Sequence, residues 1–168
     1  MDFYQLLAAR RSIRNYKSDA VPKQILLRLA EAARLAPTAC NRQPFRLLLV
    51  TNPEKLAAIR EACPQQLLKN APVIAVLLGD EKNAWRRPEG DSIVAMDIGI
   101  VMEHLILAAA SEGLGTCFVC AYNRRKMDAA LGVEAPWSAL ALTPIGYASA
   151  PAAPIGRKPV EEILEWIE

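Results

Sequence analysis

Residues 92–111 read SIVAMDIGIVMEHLILAAAS, and this stretch constrains the chain more than any other. It is rich in Ala, Ile, Leu, Val and Met and has no proline, so it predicts a helix from Asp91 to about Glu112. Its apolar residues run nearly all the way round, and such a helix has to be covered on every side. Asp97, Glu103 and His104 interrupt the stretch, which argues for a core or interface helix rather than a membrane span. The chain has 168 residues, for which one domain over 1–168 is the expectation. So short a chain has little spare surface to wrap around this helix, and a second copy is the expected cover.

The remaining elements follow from local signals. Phe3, Leu6 and Leu7 give residues 2–11 a short amphipathic helix. Pro22 opens a second helix that Pro37 closes. APTACNRQPF is an ordered loop, RLLLVT a strand, and Asn52-Pro53 the cap and first residue of a helix over EKLAAIREAC. APVIAVLLGD predicts a fully buried strand, and EKNAWRRPEG a polar excursion. After the long helix, Gly113 and Gly115 are its stop signals. TCFVCAY reads as a third strand, 124–131 as a helix closed by Gly132, and ALALTPIGY as a fourth strand. A proline-bearing arm and a final helix from Val160 complete the chain. Helices precede the strands and alternate with them irregularly, which predicts an α+β fold around a central sheet.

Composition excludes several chemistries. The only histidine, His104, lies in the apolar helix, so a Ser-His-Asp or Cys-His triad would need a base buried in the core. Cys40, Cys63, Cys117 and Cys120 lack zinc-site spacing, and no metal is expected. There is no basic, apolar leader at the start, and four cysteines without secretory signals suggest reduced thiols in a cytoplasmic protein. Neither a G-x-x-x-x-G-K-[ST] nor a G-x-G-x-x-G run is present, so a nucleotide would have to be held by another device. Cys117-Phe118-Val119-Cys120 has the spacing of a redox dithiol, but its flanks favour a strand. Residues three apart on a strand have Cα atoms about 10 Å apart, beyond the roughly 7 Å a disulfide allows.

Charge supplies the positive signal. Residues 1–60 hold eleven basic residues against four acidic ones, while the remainder holds nine against fourteen. Within the basic half, RRSIR places Arg10, Arg11 and Arg14 around Ser12. Guanidinium forks and a hydroxyl suit phosphate oxygens. A solvated helix end is the simpler reading of this motif alone, since cations are welcome at a helix C-terminus. A nucleic-acid module is the rival use of the same charge, but few aromatics interleave with it and the rest of the chain is acidic.

Taken in order, these pieces resemble the FMN-dependent nitroreductase family. RRSIRNY is similar to its phosphate motif, and AARLAPTACNRQPFRLLLV to its signature loop and first strand. NAPVIAVLLG, MDIGIVMEHLILAAASEGLGTCFV and ALTPIGYASAPAAPIGRKPVEEI resemble its later segments. The resemblance implies a central mixed sheet flanked by helices, and a homodimer with the long helix at the interface. It implies FMN sites lined by both subunits, with NAD(P)H as electron donor. Arg10, Arg11 and Ser12 would meet the FMN phosphate and ribitol, joined by Arg157, and Arg14 would lie nearer the pyrimidine edge. Pro37, Thr38, Ala39 and Asn41 would contact FMN from the other subunit, and Phe118, Val119, Cys120 and Ala121 would run beside the ring. No catalytic side chain is required, because the flavin carries the chemistry. The expected reaction is ping-pong hydride transfer through flavin N5 to a small-molecule acceptor such as a nitroaromatic, quinone or flavin, with neither nucleic acid nor membrane involved. The alternative is a specialised task on the same fold: flavin destruction, dehalogenation, or FMN binding without reductase activity. Ile155 stands where many relatives have a lysine, so phosphate binding is expected to lean on Arg157 or Lys158.

Overall fold

The computed structural model describes residues 1–168. In chain order its elements are α1 (Phe3–Ala9), α2 (Lys23–Arg34), β1 (Phe45–Val50), α3 (Pro53–Ala62), β2 (Val73–Asp80), α4 (Val94–Ser111), β3 (Gly115–Thr116), α5 (Arg124–Leu131) and β4 (Trp137–Gly146). The strands form one sheet in the order β1-β2-β4-β3. All three ladders are antiparallel. The expected mixed character is confined to a parallel bridge between Ser12 and Thr116 at the β3 edge.

β2 is buried along its whole length, which is why its sequence is one apolar run instead of an alternation. Its two faces serve two cores. Val73, Ala75 and Leu77 face α2 and α4, with Leu29, Ile98, Val101, Met102 and Leu105. Ile74, Val76 and Leu78 face the other way, against α3 and α5 with Leu56, Ile59 and Met127. The result is an α+β sandwich with the sheet in the middle.

Local chemistry sets the ends of the helices. Asp2 and Gln5 form a reciprocal capping box on α1. Asn52 accepts from the Lys55 N–H at 3.0 Å, with Pro53 as the first residue of α3. Gly113 ends α4 with φ +74°, and Gly132 ends α5 with φ +70°. Gly115 does not cap α4, because it already belongs to β3.

Two expectations need correction. TCFVCAY is not a continuous strand: Gly115 and Thr116 pair with β4, and beyond them only Val119 bridges, to Leu142. The Cys117 N–H turns aside to the Thr143 hydroxyl at 3.0 Å, which interrupts the ladder. The final helix from Val160 is a single 3₁₀ turn, Val160–Glu162. Within the chain, α4 is covered on one side only. Val94, Ile98, Val101, Met102, Leu105, Ile106 and Ala109 are buried, whereas Met96 is 54% exposed and Ile100 36%. Phe3, Tyr4 and Leu7 of α1 are also exposed, as are Ile155, Ile163, Leu164, Trp166 and Ile167 of the arm.

Candidate functional site

The RRSIR segment does not continue α1. The helix stops at Ala9, and Arg10 is already extended, with ψ 133°. The following residues run along the sheet edge. Ser12 bridges Thr116, the Ile13 N–H donates to the Thr116 carbonyl at 2.8 Å, and Tyr16 bridges Ala148. The Lys17 N–H reaches the Tyr147 carbonyl, and the Ser149 N–H reaches the Asn15 carbonyl. Tyr16 is buried and donates its hydroxyl to the Ile13 carbonyl; burial raises its pKa well above the usual tyrosine value. The spacing of Arg10, Ser12 and Arg14 is thus the two-residue repeat of an extended chain, not the four-residue repeat of a helix.

This placement brings three of the expected groups together. A cavity of about 390 Å³ is lined by Arg10, Arg11, Ile13, Gly115, Thr116, Ala152 and Pro154, among others. Next to it, Ser12, Arg14 and Asn15 face Ala150, Pro151, Ala153 and Ile155 of the arm across a second hollow of about 440 Å³. Arg11 spends its guanidinium on the carbonyls of Ala8 and Arg10. Arg10 and Arg14 have no acidic partner, and the ion pairs of the chain lie elsewhere. In the arm, Lys158 pairs with Glu162 at 3.5 Å, while Arg157 bonds only the Gly156 carbonyl at 3.3 Å. Of the two cations that could replace a lysine at Ile155, Arg157 is therefore the uncommitted one.

Beyond Thr116, Phe118, Cys120 and Ala121 are exposed. Val119 is buried, and its N–H and C=O both pair with Leu142, so it anchors this edge to β4 and offers no free group to a ligand. All four cysteines are free; Cys117 is buried and Cys120 exposed. Although Cys120 is exposed, the packing on its inner side desolvates the thiol in part and raises its pKa. No cluster of His, Cys, Asp or Glu suited to a metal ion is present.

The 37–41 loop lies apart from these residues. Pro37 and Asn41 are exposed, and Thr38 and Ala39 half-buried. Three non-glycine residues in and after it are left-handed: Cys40 (φ 48°), Asn41 (φ 51°) and Gln43 (φ 50°). Such a conformation costs about 1–2 kcal/mol per residue, so outside contacts must hold it. The Gln43 N–H donates to the Thr38 hydroxyl at 3.0 Å, and Arg42 reaches the Ala84 carbonyl at 3.1 Å. The Ala39 N–H donates at 3.0 Å to the carboxylate of Asp97, in the first turn of α4. The sequence showed Asp97 only as a charge inside an apolar helix. An acid near a helix start is a legible capping signal, but its target across the fold is not.

The loop and the arginines therefore occupy opposite ends of α4. Asp97 fixes the loop near the start of the helix, while Ala110 and Gly113 line the arginine cavity near its end. Thirteen residues of helix, from Asp97 to Ala110, separate the two by about 20 Å.

An α+β protein with unpaired arginines along a sheet edge belongs to the class equipped to hold an anionic ligand. The nitroreductase family model matches residues 7–77 and 60–147, and the chain belongs to that family. A protein named NADH dehydrogenase from Thermus thermophilus is 29% identical to it, with 94% of this chain and 92% of that one covered. A nitroreductase family protein from Clostridium difficile 630 superposes with a TM-score of 0.92 at 30% identity, over 99% of this chain and 98% of that one. An FMN-dependent nitroreductase from another strain of that species has a TM-score of 0.79 at 26% identity, with 92% of each chain covered.

Proposed function

We propose that the protein is an FMN-dependent NAD(P)H oxidoreductase that works as a homodimer, each FMN site being built from both chains. The observation that carries this reading is the pair of acid-free arginines, Arg10 and Arg14, each at a hollow that the arm also lines; Arg157 follows two residues after Ile155, the last arm residue there. Their chemistry fits the group: an FMN phosphate carries close to two negative charges and takes charge-assisted hydrogen bonds from guanidinium. Bound there, FMN would supply the redox chemistry, a two-electron relay between NAD(P)H and a small-molecule acceptor.

The chain's own residues bind and orient. Arg10 and Arg157 hold the phosphate, with Ser12 as a further donor. Arg11 is already committed to two backbone carbonyls, so its role is to fix the segment that carries Arg10. Arg14 places a cation nearer the ring. Phe118, Cys120 and Ala121 form the edge beside the ring, Val119 pins that edge to Leu142 of β4, and Phe118, at 42% exposure, is the apolar surface there. Pro37, Thr38, Ala39 and Asn41 come from the partner chain, a reading supported by the distance along α4 between this loop and the arginines. The exposed faces of α1, of α4 and of the arm are the surfaces the partner covers, shielding the site from water. No protein acid, base or thiol takes part in the transfer.

The test is the visible spectrum of the purified protein, followed by anaerobic addition of NADH or NADPH. The proposal expects a yellow dimer with about one FMN per chain that bleaches with NAD(P)H and regains colour with a quinone or nitroaromatic. A preparation that stays colourless after incubation with FMN and desalting contradicts it.

A further inference from the structure

Asp97 is 2% exposed, yet only half of its carboxylate is used. Oδ1 accepts the Ala39 N–H at 3.0 Å, while Oδ2 is buried without any hydrogen-bond donor. A half-paired buried carboxylate is an expensive way to hold one backbone amide, because its second oxygen loses hydration without return. The first turn of α4 offsets part of that cost, since the positive end of the helix favours a negative charge there.

What the carboxylate holds is the least self-sufficient segment of the fold. Three left-handed non-glycine residues follow Ala39 within four positions. The far end of the segment is clamped by Arg42 on the Asn83 and Ala84 carbonyls. That turn is itself fixed by Asp80, whose carboxylate accepts from the Lys82 and Asn83 N–H groups and the Asn83 amide. Inside the segment, Thr38 accepts from the Gln43 N–H. Asp97 is the one side chain of α4 that bonds the segment at its near end, in the middle of the 37–41 stretch.

We propose that Asp97 is a positioning residue for the flavin site: its buried carboxylate holds the left-handed loop Thr38–Gln43 in the shape with which it meets the FMN bound mainly by the partner chain. This rests on the proposed FMN site. Asp97 itself touches no reacting atom. It acts through the Ala39 N–H, and losing that bond lets Thr38 and Asn41 move off their contacts without touching the arginines at the other end of α4.

The test uses Asp97→Asn, Asp97→Leu and Ala39→Pro in the full chain. Asn keeps an acceptor for the Ala39 N–H, Leu fills the same space without one, and Ala39→Pro removes the donor while leaving Asp97 in place. Three quantities are read: the FMN dissociation constant, the position of the bound-flavin absorption band, and hydrogen–deuterium exchange over residues 38–43 in the FMN-free protein. Asp97→Asn should keep all three near wild type. Asp97→Leu and Ala39→Pro should lose exchange protection over 38–43, move the band toward that of free FMN, and weaken FMN about tenfold or more, as loss of a hydrogen bond to a charged group predicts. Far-UV circular dichroism of the FMN-free variants establishes that they are folded, and should Asp97→Leu not fold, Ala39→Pro decides. Unchanged loop protection in the variants that lack the bond overturns the tether. Lost protection with unchanged FMN affinity and spectrum overturns the assignment of the loop to the flavin. Asp97→Asn as damaged as Asp97→Leu also overturns it, because the acceptor would then not be what matters. Failure of the wild-type protein to bind FMN is a different result: it contradicts the flavin site, while the exchange data still decide the tether.

Discussion

Gly115→Ala strikes the joint between the sheet and the arginine segment. A Cβ at Gly115 would stand 2.7 Å from both Cβ and Cγ1 of Ile13 and 2.8 Å from its Cγ2. Ile13 is branched at Cβ, so its contacting atoms cannot swing away as the tip of a long side chain could. The chain has to separate there, and what it would break is the hydrogen bond from the Ile13 N–H to the Thr116 carbonyl and the Ser12–Thr116 bridge. Overpacking costs about 1–3 kcal/mol, and the lost backbone hydrogen bond about 1 more. A loss of about 2–4 kcal/mol lowers the melting temperature by roughly 5–15 °C in a chain of this size. The same displacement carries Arg10, Ser12 and Arg14 off the phosphate, and losing one charge-assisted contact weakens FMN about tenfold or more. Gly132→Ala is the control. Its φ of +70° makes alanine cost about 1 kcal/mol, but it lies after α5, away from the arginines. The assays are thermal unfolding of the FMN-free proteins and FMN titration by flavin fluorescence at a temperature where all are folded. If Gly115→Ala loses stability but binds FMN as well as Gly132→Ala does, the segment is not the phosphate site.

Three further outcomes are expected. Arg10→Ala and Arg157→Ala each weaken FMN by about 10- to 150-fold, the range for one charge-assisted hydrogen bond; Arg124→Ala, at the start of α5, leaves titration unchanged, and equal effects at all three positions contradict the assignment. Met96→Glu with Ile100→Glu dissociates the dimer in sedimentation at micromolar concentration, because both lie on the uncovered face of α4, where two buried unpaired charges are strongly unfavourable; a dimer unaffected by both places the interface elsewhere. Burial works to raise the Asp80 pKa, but the hydrogen bonds from Asn83 and Lys82 outweigh it and hold the carboxyl below its usual range. The stability this gives is present above the unfolded aspartate value of about 4 and is lost as pH falls through the lower folded value. Asp80→Ala should therefore unfold more readily than wild type at pH 7, with the gap narrowing as denaturant unfolding is repeated below pH 4.

Elements with a local cause were legible in the sequence. The start of α3 follows from Asn52-Pro53, β2 from an unbroken apolar run, and the end of α5 from a glycine that takes a left-handed conformation. Legibility stopped where tertiary contacts decide. The residues of TCFVCAY favour a strand, but a threonine hydroxyl on β4 captures the Cys117 N–H. The segment after Val160 carries Ile163, Leu164, Trp166 and Ile167 with nothing in the chain to pack against, and so short a helix does not hold on propensity alone. Of the left-handed residues in the loop, only Asn41 is of a type that favours that region; Cys40 and Gln43 carry no such signal, and Thr38 and Asp97 help hold the shape. At the candidate site the arginines were legible as a group. That they lie at the opposite end of α4 from the loop was not, because it depends on which turn of the helix each one packs beside.

That separation makes mixed dimers the most direct measurement of the central claim, a flavin site shared between two chains. One variant carries Arg10→Ala with Arg14→Ala, the other Ala39→Pro, and each alone should bind little FMN. After subunit exchange, half of the dimers are mixed, and each mixed dimer has one site with intact arginines from one chain and an intact loop from the other. FMN binding should rise to about a quarter of the wild-type sites, as random pairing of a two-fold dimer requires. A mixture that binds no more than the sum of its two parents would contradict a site built from both chains.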